Sequence, residues 1–137
     1  MNEIHLVLPY PVSGNIYWRH VGNKVVRSAK ASAYKSQVAW IAKAAGVKPL
    51  TGRLAVHIAL YPQRPLDAAQ REEKLGKAWA DRVRCLDLDN ARKVLYDALN
   101  GIAYLDDKWI WKDSAERMEP DGEARVVVTI TKLEFSI

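Results

Sequence analysis

The chain has 137 residues, 49% of them hydrophobic, which suits one globular domain over residues 1–137 with a hydrophobic core of its own. No run approaches the roughly 18 consecutive apolar residues that a membrane span requires, and residues 1–8 lack the basic start and apolar run of a signal peptide. The single cysteine, Cys85, excludes an internal disulfide. We therefore expect a cytoplasmic protein without membrane attachment.

Positive charge is concentrated in the first part of the chain, and the formal net charge is +5. Residues 1–60 contain eight Lys or Arg and one acidic residue, whereas residues 61–137 contain thirteen basic and fifteen acidic residues. This asymmetry is typical of a protein that binds a polyanion through one surface and acts on it through another. An ordinary basic surface on a soluble protein would give the same totals.

Hydrophobic periodicity predicts the elements of the first part. In chain order they are a strand at residues 3–8, a loop at 12–23, a short strand at 24–27, a helix at 28–45 and a strand at 53–61. Ser28 is the predicted N-cap of the helix and Gly46 its stop. Its predicted core-facing positions are Tyr34, Val38, Ile41, Ala42 and Ala45.

The second part predicts a charged segment at residues 63–85, a helix at 89–100 and strands at 109–118 and 124–135. The charged segment reads as an insertion and suits either a solvated helix or a mobile flap, because its apolar residues are sparse. Asp89 is the predicted N-cap of the second helix, whose buried stripe is predicted to be Val94, Leu95, Ala98 and Leu99. The last two strands are predicted to form a hairpin turned at residues 119–122. This order predicts an α+β domain with a mixed sheet and two main helices.

Two of the five tryptophans lie in the first of these last strands. Trp109 and Trp111 are two residues apart, so both side chains are predicted on one face of the strand. We expect that face in the core or in a dimer interface. Cys85 is predicted to be a packed strand residue, because no fixed partner for thiol chemistry is evident.

The most distinctive motif is Leu86-Asp87-Leu88-Asp89-Asn90, followed eighteen residues after Asp89 by Asp106-Asp107, with Lys93 between them. Hard cations prefer oxygen ligands, and Mg²⁺ usually takes one or two protein carboxylates. A metal held there would activate water and neutralise phosphate charge. The motif therefore favours a magnesium-dependent enzyme that acts on phosphodiesters.

The spacing allows these groups to approach one another. Asp89, Lys93 and Asp97 lie at i, i+4 and i+8 on one helix face. About seven extended residues after Asn100 are enough to bring Asp107 back along a helix about 16 Å long. Each part also has an ordinary structural interpretation, as a helix cap, a solvated ion-pair ladder or a turn. The three histidines show no zinc-like spacing, and no glycine-rich phosphate loop is present.

Taken together, these residues resemble a known family, the RusA-type Holliday junction resolvases. The acidic part of the resemblance is Leu86 to Asn90, Lys93, Asp97-Ala98-Leu99 and Leu105-Asp106-Asp107. The opening part is Leu8-Pro9-Tyr10-Pro11, Ser13, Asn15, Tyr17 and Arg19-His20. Together they span most of the chain.

The resemblance implies a small homodimeric endonuclease that depends on Mg²⁺, with Mn²⁺ as an alternative, and nicks opposed strands of a four-way DNA junction in recombination and repair. Asp87, Asp89 and Asp107 match the family's metal-binding carboxylates, and Lys93 matches its essential lysine. Asp106 matches the acid that precedes the third carboxylate. Such proteins are common in bacteriophages, so a phage or prophage origin is expected.

The residues expected to contact DNA lie mainly in and after the first loop. Tyr17 and Trp18 are expected to stack on opened bases, although packing explains Trp18 equally well. The expected phosphate contacts include Arg19, His20, Lys24, Arg27, Arg82 and Arg84. The chain departs from the family pattern in its long residues 63–85, where only Arg82 and Arg84 remain of an arginine-rich approach to the motif, and in Val12, where a proline is usual.

Three alternatives remain open on the sequence. The first is a branched-DNA or single-strand binding protein without nuclease activity, which keeps the acidic motif for folding. The second is a nuclease of broader range that cuts flaps or forks. The third, a dimerisation module, leaves the basic excess and the clustered acids unexplained.

Overall fold

The computed structural model describes residues 2–134 as an α+β fold built on a mixed four-stranded sheet. The strands are β1 (Glu3–Pro9), β2 (Trp18–Val21), β3 (Lys24–Arg27), β4 (Leu54–Tyr61), β5 (Ile110–Arg117) and β6 (Arg125–Lys132). The helices are α1 (Gly14–Tyr17), α2 (Ala29–Ala44), α3 (Ala68–Leu75) and α4 (Leu88–Leu99), with 3₁₀ helices at Gly76–Arg82 and Asp107–Trp109. No helix in this range is long and apolar enough to cross a membrane.

The main core lies between the sheet and the two long helices, α2 and α4. Alternate residues of β1, β4 and β6 are buried, because successive side chains of a strand point to opposite faces. The predicted stripe of α4 (Val94, Leu95, Ala98 and Leu99) is fully buried, which confirms it. In α2, Tyr34, Val38 and Ala42 are buried and Ile41 partly so. Ala45 lies beyond the helix and is exposed, so its predicted burial is wrong.

The sheet order is β1-β6-β4-β5, which contradicts the predicted terminal hairpin. Strand β4 lies between β5 and β6, parallel to the first and antiparallel to the second. Parallel neighbours need a crossover connection, and the chain from β4 to β5 supplies one that contains α4. The two strands themselves are confirmed, but β6 ends at Lys132, so the predicted strand at 133–134 is wrong, and predicted position 135 lies outside the described residues.

Strand β5 is an edge strand, and this changes the prediction for the two tryptophans. Trp109 ends a 3₁₀ helix and is partly buried against the main core, so the two residues do not share one strand. Trp111 lies in β5 and is 59% exposed, with the Arg53 guanidinium 3.6 Å from its ring centroid. A core position for Trp111 is therefore wrong.

The predicted loop at residues 12–23 contains structure that periodicity did not indicate. Ser13 caps the short helix α1, since its Oγ accepts the backbone N–H of Asn15 at 3.3 Å. The chain then forms the hairpin β2–β3, in which the predicted strand at 24–27 is confirmed. The turn has two residues, and Gly22 adopts φ +60°, which hairpin turns of this length favour.

The inserted segment forms a small unit with its own hydrophobic contacts. Helix α3 and the following 3₁₀ helix bury Ala68, Trp79 and Val83 against one another. The Arg117 guanidinium of β5 donates to the carbonyl groups of Val83, at 2.8 Å, and Ala80, at 3.2 Å. Of the two interpretations of this segment, the helix is the one observed. Cys85 follows it outside any strand, so its predicted strand position is wrong.

Candidate active site

The acidic motif lies at the N-terminus of α4, where unpaired backbone N–H groups favour negative charge. Asp87 is the N-cap, because its Oδ1 accepts the backbone N–H of Asn90 at 2.8 Å and its backbone is extended. Its Oδ2 accepts a second hydrogen bond, from the side-chain Nδ2 of Asn90, at 3.1 Å. Asp89 lies in the first helical turn, so its prediction as the N-cap is wrong by two residues.

Asp89 and Lys93 point into solvent one helical turn apart. The Lys93 ammonium lies 3.4 Å from Asp89 Oδ2, and the two side chains are 67% and 69% exposed. An ion pair this exposed contributes about 0–1 kcal/mol to stability. Both charged groups are therefore accessible to a ligand, and the ion pair between them is weak.

Asp97, the third residue on that helix face, is occupied by other partners. The Arg27 guanidinium donates to it through Nε at 2.6 Å and Nη2 at 2.8 Å, and the Tyr17 hydroxyl donates to Oδ2. The Lys35 ammonium donates to the Asp97 carbonyl at 2.6 Å. Burial opposes ionisation, but these hydrogen bonds and cationic charges outweigh it and lower the pKa of Asp97. Asp97 is therefore a structural anion that holds α1 and β3 against α4.

The second acidic pair lies where the chain turns into β5. Asp106 caps the 3₁₀ helix, since its Oδ1 accepts the backbone N–H of Lys108 at 3.0 Å. That bond lowers the pKa of Asp106. Burial, a hydrogen bond with Asp106 and the charges of Asp106 and Asp97 raise the pKa of Asp107. Asp107 is thus close enough to Asp106 and Asp97 for both carboxylates to affect its pKa.

The structure does not bring Asp87, Asp89 and Asp107 into one compact cluster. Among residues 2–134, no group of three or more His, Cys, Asp or Glu side chains is arranged to hold a metal ion. The donor chemistry nevertheless fits Mg²⁺, because all three are carboxylates and this ion commonly takes only one or two from a protein. The raised pKa of Asp107 also reflects acidic neighbours whose repulsion a cation would relieve. The three-residue metal site stays a prediction.

The residues predicted to contact DNA divide into exposed and engaged groups. Arg19, His20, Lys24, Arg82 and Arg84 are exposed, the first three of them on the β2–β3 hairpin. Trp18 is half-buried against the core, with its ring centroid 4.8 Å from that of Tyr17 in an edge-on arrangement.

Two residues of this set have internal roles. Tyr17 is fully buried, so its predicted stacking on DNA bases is wrong in this conformation. Arg27 remains 41% exposed, but its guanidinium is bound to Asp97. The ion pair therefore occupies the guanidinium that was predicted to contact phosphate.

Asn90 and Gly14 are in contact, a feature that their positions in the sequence do not indicate. A Cβ built on Gly14 would lie 2.6 Å from Asn90 Oδ1, closer than real Cβ contacts occur. Glycine therefore lets α1 approach the side chain that hydrogen-bonds Asp87. Asn90 was visible as part of the motif, but nothing in the sequence links it to Gly14.

A cleft beside Asp87 was also not predicted. It has a volume of about 600 Å³, and Tyr10, Gln63 and Cys85 contribute to its lining. Burial raises the pKa of Tyr10 to about 12, so its hydroxyl stays protonated at neutral pH. The cleft draws on residues far apart in the chain, which no local pattern connects.

Comparison with known proteins identifies the family. The family model described as Endodeoxyribonuclease RusA matches residues 9–131. A crossover junction endodeoxyribonuclease of Enterobacteria phage 82 is 30% identical over 139 residues, which cover 97% of this chain and 98% of the relative. Proteins with the same name from Escherichia coli and Shigella sonnei are 31% and 29% identical over the same shares of both chains. The chain therefore belongs to the RusA endodeoxyribonuclease family, as its acidic motif and opening loop predict.

Proposed function

We propose that this protein is a divalent-metal-dependent endonuclease that resolves four-way DNA junctions by paired symmetric nicks, in recombination and repair. The observation that carries the proposal is the pairing of Asp87 and Asp89 at the exposed N-terminus of α4, with Lys93 one turn further, in a chain of the RusA family. The relatives are named for crossover junction cleavage, which supports branched DNA as the substrate.

Asp87, Asp89 and Asp107 are the proposed ligands of Mg²⁺, with Mn²⁺ as a possible replacement. The bound ion would supply an activated water and positive charge beside the scissile phosphate. Lys93 is the proposed electrostatic partner of that phosphate, because its exposed ammonium is only weakly paired with Asp89. Asn90 orients Asp87 by donating two hydrogen bonds to its carboxylate.

Binding is assigned to a different set of residues. Arg19, His20 and Lys24 are exposed on the hairpin, and Arg82 and Arg84 lie just before the acidic motif. We propose that these five residues contact phosphates of the junction arms, since phosphate contacts supply most sequence-independent affinity. Trp18 is the remaining candidate for a base contact in the hairpin.

Symmetric nicks on opposed strands need two active sites, which a two-fold homodimer would provide. A homodimer in the cytoplasm of a bacterial cell, encoded by a phage or prophage, is consistent with relatives in a phage and in Escherichia coli. Light scattering of the purified protein should give twice the mass of the 15.5 kDa chain. A monomer at the concentration that cleaves junctions would contradict the dimer.

The test is cleavage of an end-labelled synthetic four-way junction, with and without Mg²⁺, beside linear duplex of the same sequence. We expect paired nicks that are confined to the junction and require the metal. Asp89→Asn should abolish cutting and leave junction binding intact. Asp67→Asn is the matched control, because Asp67 is an exposed aspartate of the inserted segment that lies twenty residues before Asp87 in the sequence.

Other outcomes would favour the alternatives. Binding without cuts in Mg²⁺ or Mn²⁺ would identify a branched-DNA binding protein, in which the aspartates serve as helix caps. Equal cutting of flaps and forks would indicate a nuclease of broader range. Near-normal cleavage by Asp89→Asn would refute the assignment of the carboxylates even if junctions are cut.

A further inference from the structure

The cleft beside Asp87 borders the proposed catalytic residues. Its volume of about 600 Å³ lies within the ~300–1,000 Å³ typical of pockets for small organic ligands. It is formed by the loop after β1, the segment that enters α4, and residues 63 and 124 near the start of β6. Asp87 and Asn90 are among its lining residues, so the cleft borders the proposed active site.

The walls of the cleft are apolar and held in place. Pro11, Leu86 and Ala124 line it beside the ring of Tyr10. The Tyr10 hydroxyl accepts the backbone N–H of Leu86 at 2.5 Å and lies 3.7 Å from the sulfur of Cys85. These contacts tie the opening loop to the acidic segment, so the wall exists before any ligand arrives.

Hydrogen-bonding groups also line the cleft. Gln63 Oε1 accepts the backbone N–H of Ala124 at 2.9 Å, which leaves the amide NH₂ of Gln63 available as a donor. Asn90 donates its Nδ2 to Asp87, and its Oδ1, which lies beside Gly14, accepts no hydrogen bond within residues 2–134. Arg84 at the rim is exposed and makes no hydrogen bond or ion pair within residues 2–134. The cleft thus combines flat apolar walls with a donor, an acceptor and one cation.

We propose that this cleft receives one unstacked nucleotide of the DNA strand, adjacent to the phosphate that is cut. The inference rests on the proposed function, because Asp87 both borders the cleft and is a proposed ligand of the metal at that phosphate. A base offers a flat face to Tyr10 and Pro11 and a polar edge to Gln63 and Asn90. Stacking is already interrupted at a branch point, so extruding a base there costs less than in continuous duplex.

A second phosphate is a poorer occupant. Among the described residues, Arg84 is the only cationic side chain in the lining, and Asp87 would repel an anion placed beside it. A nucleotide instead keeps its own phosphate at the rim near Arg84 and inserts the neutral base. Contacts to the base edge would also make cutting depend on the base at that position.

The test combines abasic substrates with a variant that fills the cleft. Nucleotides around the scissile phosphate of a fixed four-way junction are replaced one at a time by tetrahydrofuran abasic residues, and single-turnover cleavage is measured in Mg²⁺. The wild-type protein should lose about tenfold in rate at one position, the size of effect typical of a lost base stack. Ala124→Phe should cut the intact junction about tenfold more slowly and show no further loss at that position.

Two further variants distinguish the effect of filling the cleft from a general effect of a larger side chain on folding. Ala39→Phe is the matched control, because Ala39 lines a separate depression on α2. It should behave as the wild type, and both variants should keep junction binding. Ala124→Leu, a smaller filling, should give an intermediate rate, so the test stands even if the phenylalanine variant is unstable.

Three results would overturn the proposal. If the wild type cuts junctions but is indifferent to every abasic position, or if Ala124→Phe leaves the abasic profile unchanged, the cleft does not hold a base and the junction nuclease stands. If Ala124→Phe instead halves the mass of the DNA-free protein, the cleft holds a segment of a second copy. If the wild type cuts no junction, the proposed function itself fails, and the nucleotide site with it.

Discussion

Replacing Gly14 by alanine should weaken the active site through Asn90. The added Cβ would lie 2.6 Å from Asn90 Oδ1 and 3.4 Å from Asn90 Cγ, so the amide must rotate or α1 must withdraw. Rotation breaks the 3.1 Å hydrogen bond from Asn90 Nδ2 to Asp87. Hydrogen bonds to charged groups contribute about 1.5–3 kcal/mol, and we take about 1 kcal/mol because Asp87 is exposed.

This energy determines the expected changes in the melting temperature and in the cleavage rate. Loss of this bond alone lowers the melting temperature of a domain of this size by about 4 °C, and the lower backbone entropy of unfolded alanine offsets part of that loss. If the same bond orients Asp87 for catalysis, the cleavage rate falls about fivefold, since 1.36 kcal/mol corresponds to a factor of ten. The backbone bond from Asn90 to Asp87 is unaffected, so α4 keeps its cap.

A double-mutant cycle distinguishes this mechanism from a general disturbance of α1. In an Asn90→Ala background the clash is absent, and Gly14 does not have a positive φ. Gly14→Ala should then stabilise the protein by about 0.4–1 kcal/mol, because alanine loses less backbone entropy on folding. The effect of Gly14→Ala on the free energy of unfolding should therefore be more stabilising by about 1 kcal/mol in the Asn90→Ala background than in the wild type.

The four proteins of the cycle are compared by urea unfolding and by single-turnover junction cleavage. Gly122→Ala is the control, because a Cβ there meets only Arg125 Nη1, at 4.0 Å. It should show no coupling to Asn90→Ala. Additive effects of Gly14→Ala and Asn90→Ala on stability and on rate would refute the reasoning.

Three further predictions test other contacts. Folding lowers the pKa of Asp97, so ionised Asp97 stabilises the fold fully above about pH 4, and this stabilisation is lost as the pH falls through the folded pKa. The free energy of unfolding of Asp97→Asn should therefore lack this loss in acid. If the free energies of unfolding of the variant and the wild type fall in parallel with pH, the prediction is wrong. Asp87→Asn should keep the helix cap and lose cleavage, whereas Asp87→Ala should also lose about 1 kcal/mol in urea unfolding; equal stability of the two would refute the cap. Lys24→Ala should reduce the slope of log binding constant against log salt concentration by about 1 and leave the melting temperature unchanged. Arg27→Ala should lower the melting temperature, because Arg27 is paired with Asp97. An unchanged slope for Lys24→Ala would exclude its phosphate contact.

The elements predicted best were those whose signal is local. The stripe of α4, the cap of α2 at Ser28 and the alternation of β4 each depend on side chains within one or two turns or a few strand positions. Strand pairing is different, because periodicity indicates that a strand has a buried face and not which strand lies beside it. β5 and β6 are neighbours in sequence, yet β4 separates them in the sheet.

The candidate site divides in the same way. The motif from Asp87 to Lys93 was recognisable because its residues lie within two helical turns. Tyr17 and Arg27, whose roles were predicted wrongly, both bind Asp97, which lies 80 and 70 residues later in the sequence. The local sequence around a basic or aromatic loop residue does not show whether it has such a distant partner. Composition therefore cannot distinguish a side chain that contacts nucleic acid from one that contacts another part of the protein.

The same long-range contact bears on how binding and cleavage would be coordinated. Arg27 ends β3, so its bidentate bond to Asp97 fixes the base of the hairpin that carries Arg19 and Lys24. Asp97 follows Asp89 by eight residues, which is about 12 Å along α4. The basic hairpin and the acidic motif are therefore attached to one rigid helix. A junction held by the hairpin would meet the carboxylates at a distance set by that helix, and the buried hydroxyl of Tyr17 on Asp97 reinforces the attachment.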